Sequence, residues 1–120
     1  MGRVKFITQA GKEILAIDMS QCDAMAFRAV AAEAQPLVAK QGTKSLLTLT
    51  NLTGVGLDAD TRDAIREFIA ENKPFVKASA LYGVSGIGRA VGSALIAATG
   101  RRMKIFESEG EALAWLATQD

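Results

Sequence analysis

The chain is expected to fold as an α/β domain built on a mixed five-stranded sheet, and three features of the sequence predict it. Two strand-like segments open the chain and are separated only by the turn Ala10-Gly11-Lys12, a connection that permits only an antiparallel hairpin. Three further apolar, β-rich runs follow, each preceded by a segment of helical periodicity. A hairpin followed by repeated helix–strand units implies a sheet that is mainly parallel beyond its opening strand, with helices packed against it. The predicted order is β-β-α-β-α-β-α-β-α.

Each element has its own local cause. Arg3 to Gln9 alternates in polarity as a half-buried edge strand does, and Glu13 to Met19 is the second strand. Ser20, with Asp23 at the capping-box distance, predicts a helix over 21–40. Met25, Phe27, Val30, Ala31, Ala34, Leu37 and Val38 supply its apolar positions. Pro36 removes one backbone donor and clashes one turn back, which predicts a kink or a break into two pieces. Leu46-Leu47-Thr48-Leu49-Thr50 suits a central strand. Residues 57–63 open the next helix, with acidic side chains at its positive pole. Ile65, Phe68 and Ile69 mark its buried face, and Asn72-Lys73-Pro74 stops it.

Phe75 to Tyr82 is the fourth strand, and 85–99 a helix with Ile87, Val91, Leu95 and Ala98 on one face, ended by Gly100. Arg102 to Phe106 is a short fifth strand. Ser108 and Glu111 form a capping box for a last helix, whose apolar face includes Ala112, Leu113, Trp115 and Leu116. No linker or internal repeat interrupts the series, so residues 1–120 are expected to form one domain.

Composition limits the function classes. The chain has 14 Lys+Arg against 13 Asp+Glu, a formal net charge of +1, which argues against a nucleic-acid or anionic-membrane surface. No apolar run approaches the roughly 20 residues of a membrane span, and the start fits neither a signal peptide nor a myristoylation pattern. Cytoplasmic localisation is the expectation. With no histidine and Cys22 as the one cysteine, zinc sites, an internal disulfide and histidine acid–base chemistry are not expected. Cys22 near a helix N-terminus is either a reactive thiol or, without a partner group, a small buried hydrophobe. Arg101, Arg102 and Lys104 form a basic cluster suited to a solvated edge.

The sequence resembles the SpoIIAA-like branch of the STAS superfamily, also described as STAS/SEC14-like small proteins. The resemblance rests on four stretches in order: residues 14–20 after the hairpin, residues 47–54, residues 76–83, and the ending 104–108 with 111–116. It implies a small α/β domain of the order derived above, acting as a non-enzymatic regulatory or binding module. Familiar STAS regulators carry an Asp-Ser pair at the start of the helix after the third strand, and a kinase phosphorylates that serine. Here Asp58-Ala59 stands at that place. Asp58 can cap the helix, Ala59 has no hydroxyl, and Thr61 lies one turn in and off register, so the phosphosite is vestigial and partner switching by phosphorylation is not expected. Recognition then falls to a protein contact or to a small apolar or anionic ligand, with homo-oligomerisation left open.

Gly83-Val84-Ser85-Gly86-Ile87-Gly88-Arg89-Ala90 also looks like the nucleotide turn of short-chain dehydrogenases. Its spacing is one residue short, it follows the fourth strand rather than the first, and a Tyr-three-Lys pair is absent. No cofactor is therefore expected. Arg89 remains of interest, because the macrodipole disfavours a cation in a helix's first turn by about 0.3–1 kcal/mol. An anion held by Gly83, Ser85, Gly86, Gly88 and Arg89 would reverse that sign, as would an internal carboxylate such as Asp58 or Asp60. The rival class is accordingly a small anion- or cofactor-binding protein or enzyme using this turn. A third reading, a lipid carrier, requires a hydrophobic cavity between the sheet and the helices near Phe27, Phe68 and Leu95.

Overall fold

The computed structural model describes residues 3–56, 58–84, 86, 88–90, 92–93 and 102–119. Strands β1 (Val4–Gln9) and β2 (Lys12–Asp18) pair antiparallel, with Gln9 opposite Lys12. Ala10 (φ 52°) and Gly11 (φ 79°) both take left-handed backbone, the conformation that a two-residue turn matching strand twist requires. The chain continues through α1 (Ala24–Ala39), β3 (Leu46–Asn51), α2 (Ala59–Asn72) and β4 (Val76–Tyr82) to β5 (Met103–Phe106) and α3 (Glu109–Ala117). Residues 86, 88–90, 92 and 93, between β4 and β5, are helical. Spatial order follows chain order, β1-β2-β3-β4-β5, with every pair after the hairpin parallel. The α/β class, the mixed five-stranded sheet and the opening hairpin are thus as the sequence predicts.

Both faces of the sheet's centre are covered, which is why β3 reads as a near-continuous apolar run. On one face Leu15, Ile17, Met19 and Leu46 pack with Phe27, Val30, Ala34 and Val38 of α1 and Ala64 of α2. Phe27 meets Phe68 edge-on, with ring centroids 5.7 Å apart. On the other face Ile14, Leu47, Leu49, Ala78 and Ala80 pack beneath Ala112 and Leu116 of α3. Trp115 is half-buried at that helix's edge and lies against Phe106, 5.6 Å between centroids. Thr48 and Thr50 point to the first face; Thr48 Oγ1 lies 2.6 Å from Ser79 Oγ, while the Thr50 hydroxyl has no protein partner.

Three local expectations are corrected. α1 is capped by Asp23, whose Oδ1 accepts from the Ala26 amide at 2.8 Å, and not by Ser20. Residues 20–22 form a turn instead, with Gln21 at φ 60° and its amide donating to the Thr53 carbonyl at 2.8 Å. Of the two outcomes expected at Pro36, the break does not occur, since α1 runs through it as one helix. The absent Pro36 amide costs a single hydrogen bond, and packing of Ala34 and Val38 on either side holds the helix together. Met25 is 81% exposed and so takes no part in the buried face. The predicted buried positions Ile87, Val91, Leu95 and Ala98, with Gly100, lie outside the described residues.

Candidate binding cleft

The glycine turn after β4 has a geometric explanation. Gly83 sits at φ +88°, and a Cβ there would lie 2.2 Å from Thr53 Oγ1 and 2.8 Å from the Thr53 amide nitrogen. The loop after β3 is drawn against the end of β4, with Leu52 N–H donating to the Tyr82 carbonyl at 2.8 Å. Glycine is what that close approach requires. Gly86 is helical and exposed with nothing near its Cβ position, and Gly88 is buried; Ser85 lies outside the described residues.

Arg89 has partners of its own. Its Nη2 donates to the Ile105 carbonyl at 3.3 Å, and Nη1 lies 3.8 Å from Glu107 Oε1. The carboxylate beside it is therefore Glu107, and neither Asp58 nor Asp60. Asp60 instead lies 3.3 Å from Arg28, which also holds Glu67 at 3.1 Å.

Asp58 is the N-cap of α2. Its Oδ2 accepts from the Thr61 amide at 3.2 Å and its Oδ1 from the Thr61 hydroxyl at 2.7 Å. The Thr61 hydrogen bonds hold the Asp58 carboxyl below the usual range. Ala59 is exposed at the first helical position, whereas Thr61 is 1% exposed with its hydroxyl committed. The exposed position lacks a hydroxyl, and the hydroxyl present is not accessible to an enzyme.

A different set of residues forms a cleft. Strand register places Asp18 beside Asn51, and Asn51 beside Tyr82. The Asp18 amide donates to the Arg3 carbonyl at 2.7 Å, which extends the row to β1's edge. Arg3, Asp18, Asn51 and Tyr82 thus form one polar row across four strands, on the α3 side of the sheet. One residue pair further along, Lys5, Ala16 and Leu49 form the next row on the same face. With Ile17 and Glu109 of α3 these line a cleft of about 190 Å³. It opens at the carboxyl ends of β2, β3 and β4, where open α/β sheets hold ligands.

Two of the cleft's groups, Asp18 and Tyr82, are held away from neutrality. A hydrogen bond from Ser20 is the largest influence on Asp18 and, with Arg3 nearby, holds its carboxyl below the ordinary value. Burial, then the neighbouring Glu109 carboxylate, pushes the Tyr82 phenol up to about 12; its hydroxyl donates to Glu109 Oε2 at 3.2 Å. Arg3 is anchored, its Nη1 donating at 3.0 Å to the carbonyls of both Asp18 and Ser20. Lys5 is exposed and makes no hydrogen bond or ion pair among the described residues.

Sequence reasoning missed this cleft. Its signal is that β2, β3 and β4 each end on a hydrogen-bonding residue, Asp18, Asn51 and Tyr82.

Two remaining features bear on the rival readings. Between the sheet and the α1–α2 layer lies a cavity of about 30 Å³, lined by Phe27 and Phe68 but also by Thr48, Thr50, Asn72 and Ser79. That is room for a water or two, far below the about 300–1,000 Å³ of drug-sized ligand pockets. Cys22 is 3% exposed, with Arg3 Nη1 at 3.5 Å from its sulfur, and burial pushes its thiol up. Among the described residues no cluster of metal-ligating side chains occurs, and no helix is long and apolar enough to cross a membrane.

No protein-family model matches the chain, and no curated protein matches it. Solved structures do. An uncharacterized protein of the DUF3478 family with a SpoIIAA-like fold, from Shewanella loihica PV-4, superposes with a TM-score of 0.75 at 16% identity, over 94% of this chain and 91% of that one. An anti-sigma-factor antagonist (STAS) domain protein from Planctomyces limnophilus superposes with a TM-score of 0.64, also at 16% identity, over 96% of this chain and 98% of the other. Likeness at this identity is likeness of fold. The hairpin, the parallel strands β2 to β5 and the helices on both faces make up a STAS/SpoIIAA-like fold.

Proposed function

We propose that this chain is a non-enzymatic regulatory or binding module, and that its contact site is the cleft at the carboxyl ends of β2, β3 and β4. The observation that carries this reading is the row Arg3, Asp18, Asn51 and Tyr82, with Lys5 and Glu109 beside it around one concave space. The cleft offers charged and hydrogen-bonding groups over a small apolar floor of Ala16 and Leu49, which is the make-up of a recognition site. General acid–base work needs a group that titrates near the working pH. Asp18 is pushed down and Tyr82 up, both away from neutrality. Each group keeps one protonation state, which suits holding a ligand and not transferring a proton.

The regulatory half of the proposal rests on fold likeness, since one structural relative is an anti-sigma-factor antagonist. Control by phosphorylation at the start of α2 is not part of it, because Ala59 has no hydroxyl and that of Thr61 is enclosed. The glycine-turn reading is weakened by the partners of Arg89, and the lipid-carrier reading gains nothing from a cavity of about 30 Å³, too small for an acyl chain.

The test is amide NMR of the labelled chain mixed with a small-molecule extract of its own cells. Shifts centred on Asp18, Asn51 and Tyr82 are expected. Shifts confined to residues 83–90 would move the site to the glycine turn, and an unchanged spectrum would remove the small-ligand half of the proposal.

A further inference from the structure

The geometry points to a more specific occupant: we infer that the cleft takes a small zwitterion, of which a free α-amino acid is the simplest example. This inference rests on the reading of the cleft as a binding site and adds the chemistry of what enters it.

Size comes first. A space of about 190 Å³ is smaller than the roughly 300–1,000 Å³ that drug-sized ligands occupy. A nucleotide or an acyl chain is too large, and a molecule of the bulk of an amino acid fits.

Charge comes second. The cleft holds both signs, and although the Arg3 charge acts on Asp18, no ion pair among the described residues joins them. Lys5 makes no ion pair among the described residues. Asp18 accepts from the Ser20 amide at 2.9 Å, and Glu109 accepts from the Tyr82 hydroxyl at 3.2 Å. Arg3 directs Nη1 to backbone carbonyls and not to either carboxylate. For Lys5 and Glu109 the reason is separation. Lys5 lies on β1, while Glu109 is tied to Tyr82 on β4, three strand spacings away or about 14 Å between backbones. Between them the floor is Ala16 and Leu49, neither of which can carry charge.

A ligand bearing one charge answers only part of the cleft. A carboxylate drawn to Lys5 lies near Asp18 on the neighbouring strand, and an amine drawn to Glu109 leaves Lys5 without a partner. A molecule with both charges can present its carboxylate towards Lys5 and its ammonium towards Glu109, so that each end meets the opposite sign. The Asn51 amide and the aliphatic floor are then left for the ligand's remaining atoms.

The experiment titrates the full chain with glycine, L-alanine and L-serine, and separately with propionate and ethylammonium, followed by amide NMR. Saturating shifts at Asp18, Asn51 and Tyr82 are expected with the amino acids. The singly charged compounds are expected to bind about ten-fold more weakly or worse, the loss of one charge-assisted contact. Lys5→Ala and Glu109→Gln should each weaken amino-acid binding by about ten-fold, with the spectrum away from the cleft row unchanged because both side chains are exposed. Propionate binding as tightly as alanine would overturn the zwitterion inference while leaving the cleft as an anion site. Silence from every titrant would also overturn it; the cleft as a small-ligand site falls only if the cell extract leaves the same row undisturbed.

Discussion

The Thr61 hydroxyl donates to Asp58 Oδ1 at 2.7 Å while the Thr61 amide donates to Oδ2 of the same carboxylate at 3.2 Å. One residue thus ties down both oxygens of the cap that starts α2. The pairing encloses the Thr61 hydroxyl, while the exposed first helical position belongs to Ala59.

From this follows a contrast between two substitutions. Thr61→Val removes a buried hydrogen bond and should cost about 1 kcal/mol. Ala59→Ser adds a hydroxyl at an exposed position and should stay within about 0.5 kcal/mol of the parent. Urea unfolding of both variants checks this. A large loss for Ala59→Ser would mean that packing, and not sequence choice alone, keeps a serine out.

The glycine turn gives a second contrast. Gly83→Ala forces a Cβ to 2.2 Å from Thr53 Oγ1 at φ +88° and should destabilise by about 1–3 kcal/mol. Gly86 is helical with open space around it, so Gly86→Ala should stabilise by about 0.5–1 kcal/mol. Thermal melts of the pair separate a geometric role from a ligand-holding one. If both variants keep their folds and Gly86→Ala alone loses ligand binding, the turn and not the cleft is the site.

Tyr82 is the one tyrosine of the chain, so its ionisation can be followed directly by tyrosinate absorbance. A midpoint near 12 is expected, against about 10 for a free phenol. The neutral phenol is favoured in the fold, so its contribution to stability is complete below about pH 10 and is lost as pH rises from 10 to 12. Glu109→Gln removes the adjacent negative charge and should bring the midpoint down. A midpoint at 10 in the parent chain would show that Tyr82 is neither shielded nor close to Glu109.

Cys22 should label slowly. Cys22 is 3% exposed and burial pushes its thiol up, so thiol reagents reach it only through local opening. A rate equal to that of free cysteine at neutral pH would contradict the burial described here.

Much of the fold was legible because its signals are local. The alternation of Val4 to Gln9, the turn at Ala10-Gly11 and the apolar run from Leu46 fix a hairpin and a central strand without knowledge of anything else. The start of α1 was not legible. Ser20 and Asp23 are both good caps, and the choice between them is made by the Gln21–Thr53 hydrogen bond, a contact between loops far apart in sequence. Met25 misled for a related reason: in an alanine-rich helix the apolar stripe is wide, and only packing against β-strand residues shows which edge is buried. The partners of Arg89 lie on β5 and just beyond it, again out of reach of local reasoning. The cleft was the least legible feature. Its row spans four strands, and the residues in it become neighbours only once register is set.

The central claim, that a binding module works through the cleft and not through the glycine turn, is tested most directly by native mass spectrometry of the chain purified from its own cells. Three forms are compared: the parent, a Lys5→Ala, Asn51→Ala double variant, and an Arg89→Ala variant. A bound ligand or partner is expected on the parent, lost from the double variant and retained with Arg89→Ala. Loss from Arg89→Ala with retention in the double variant would contradict that claim.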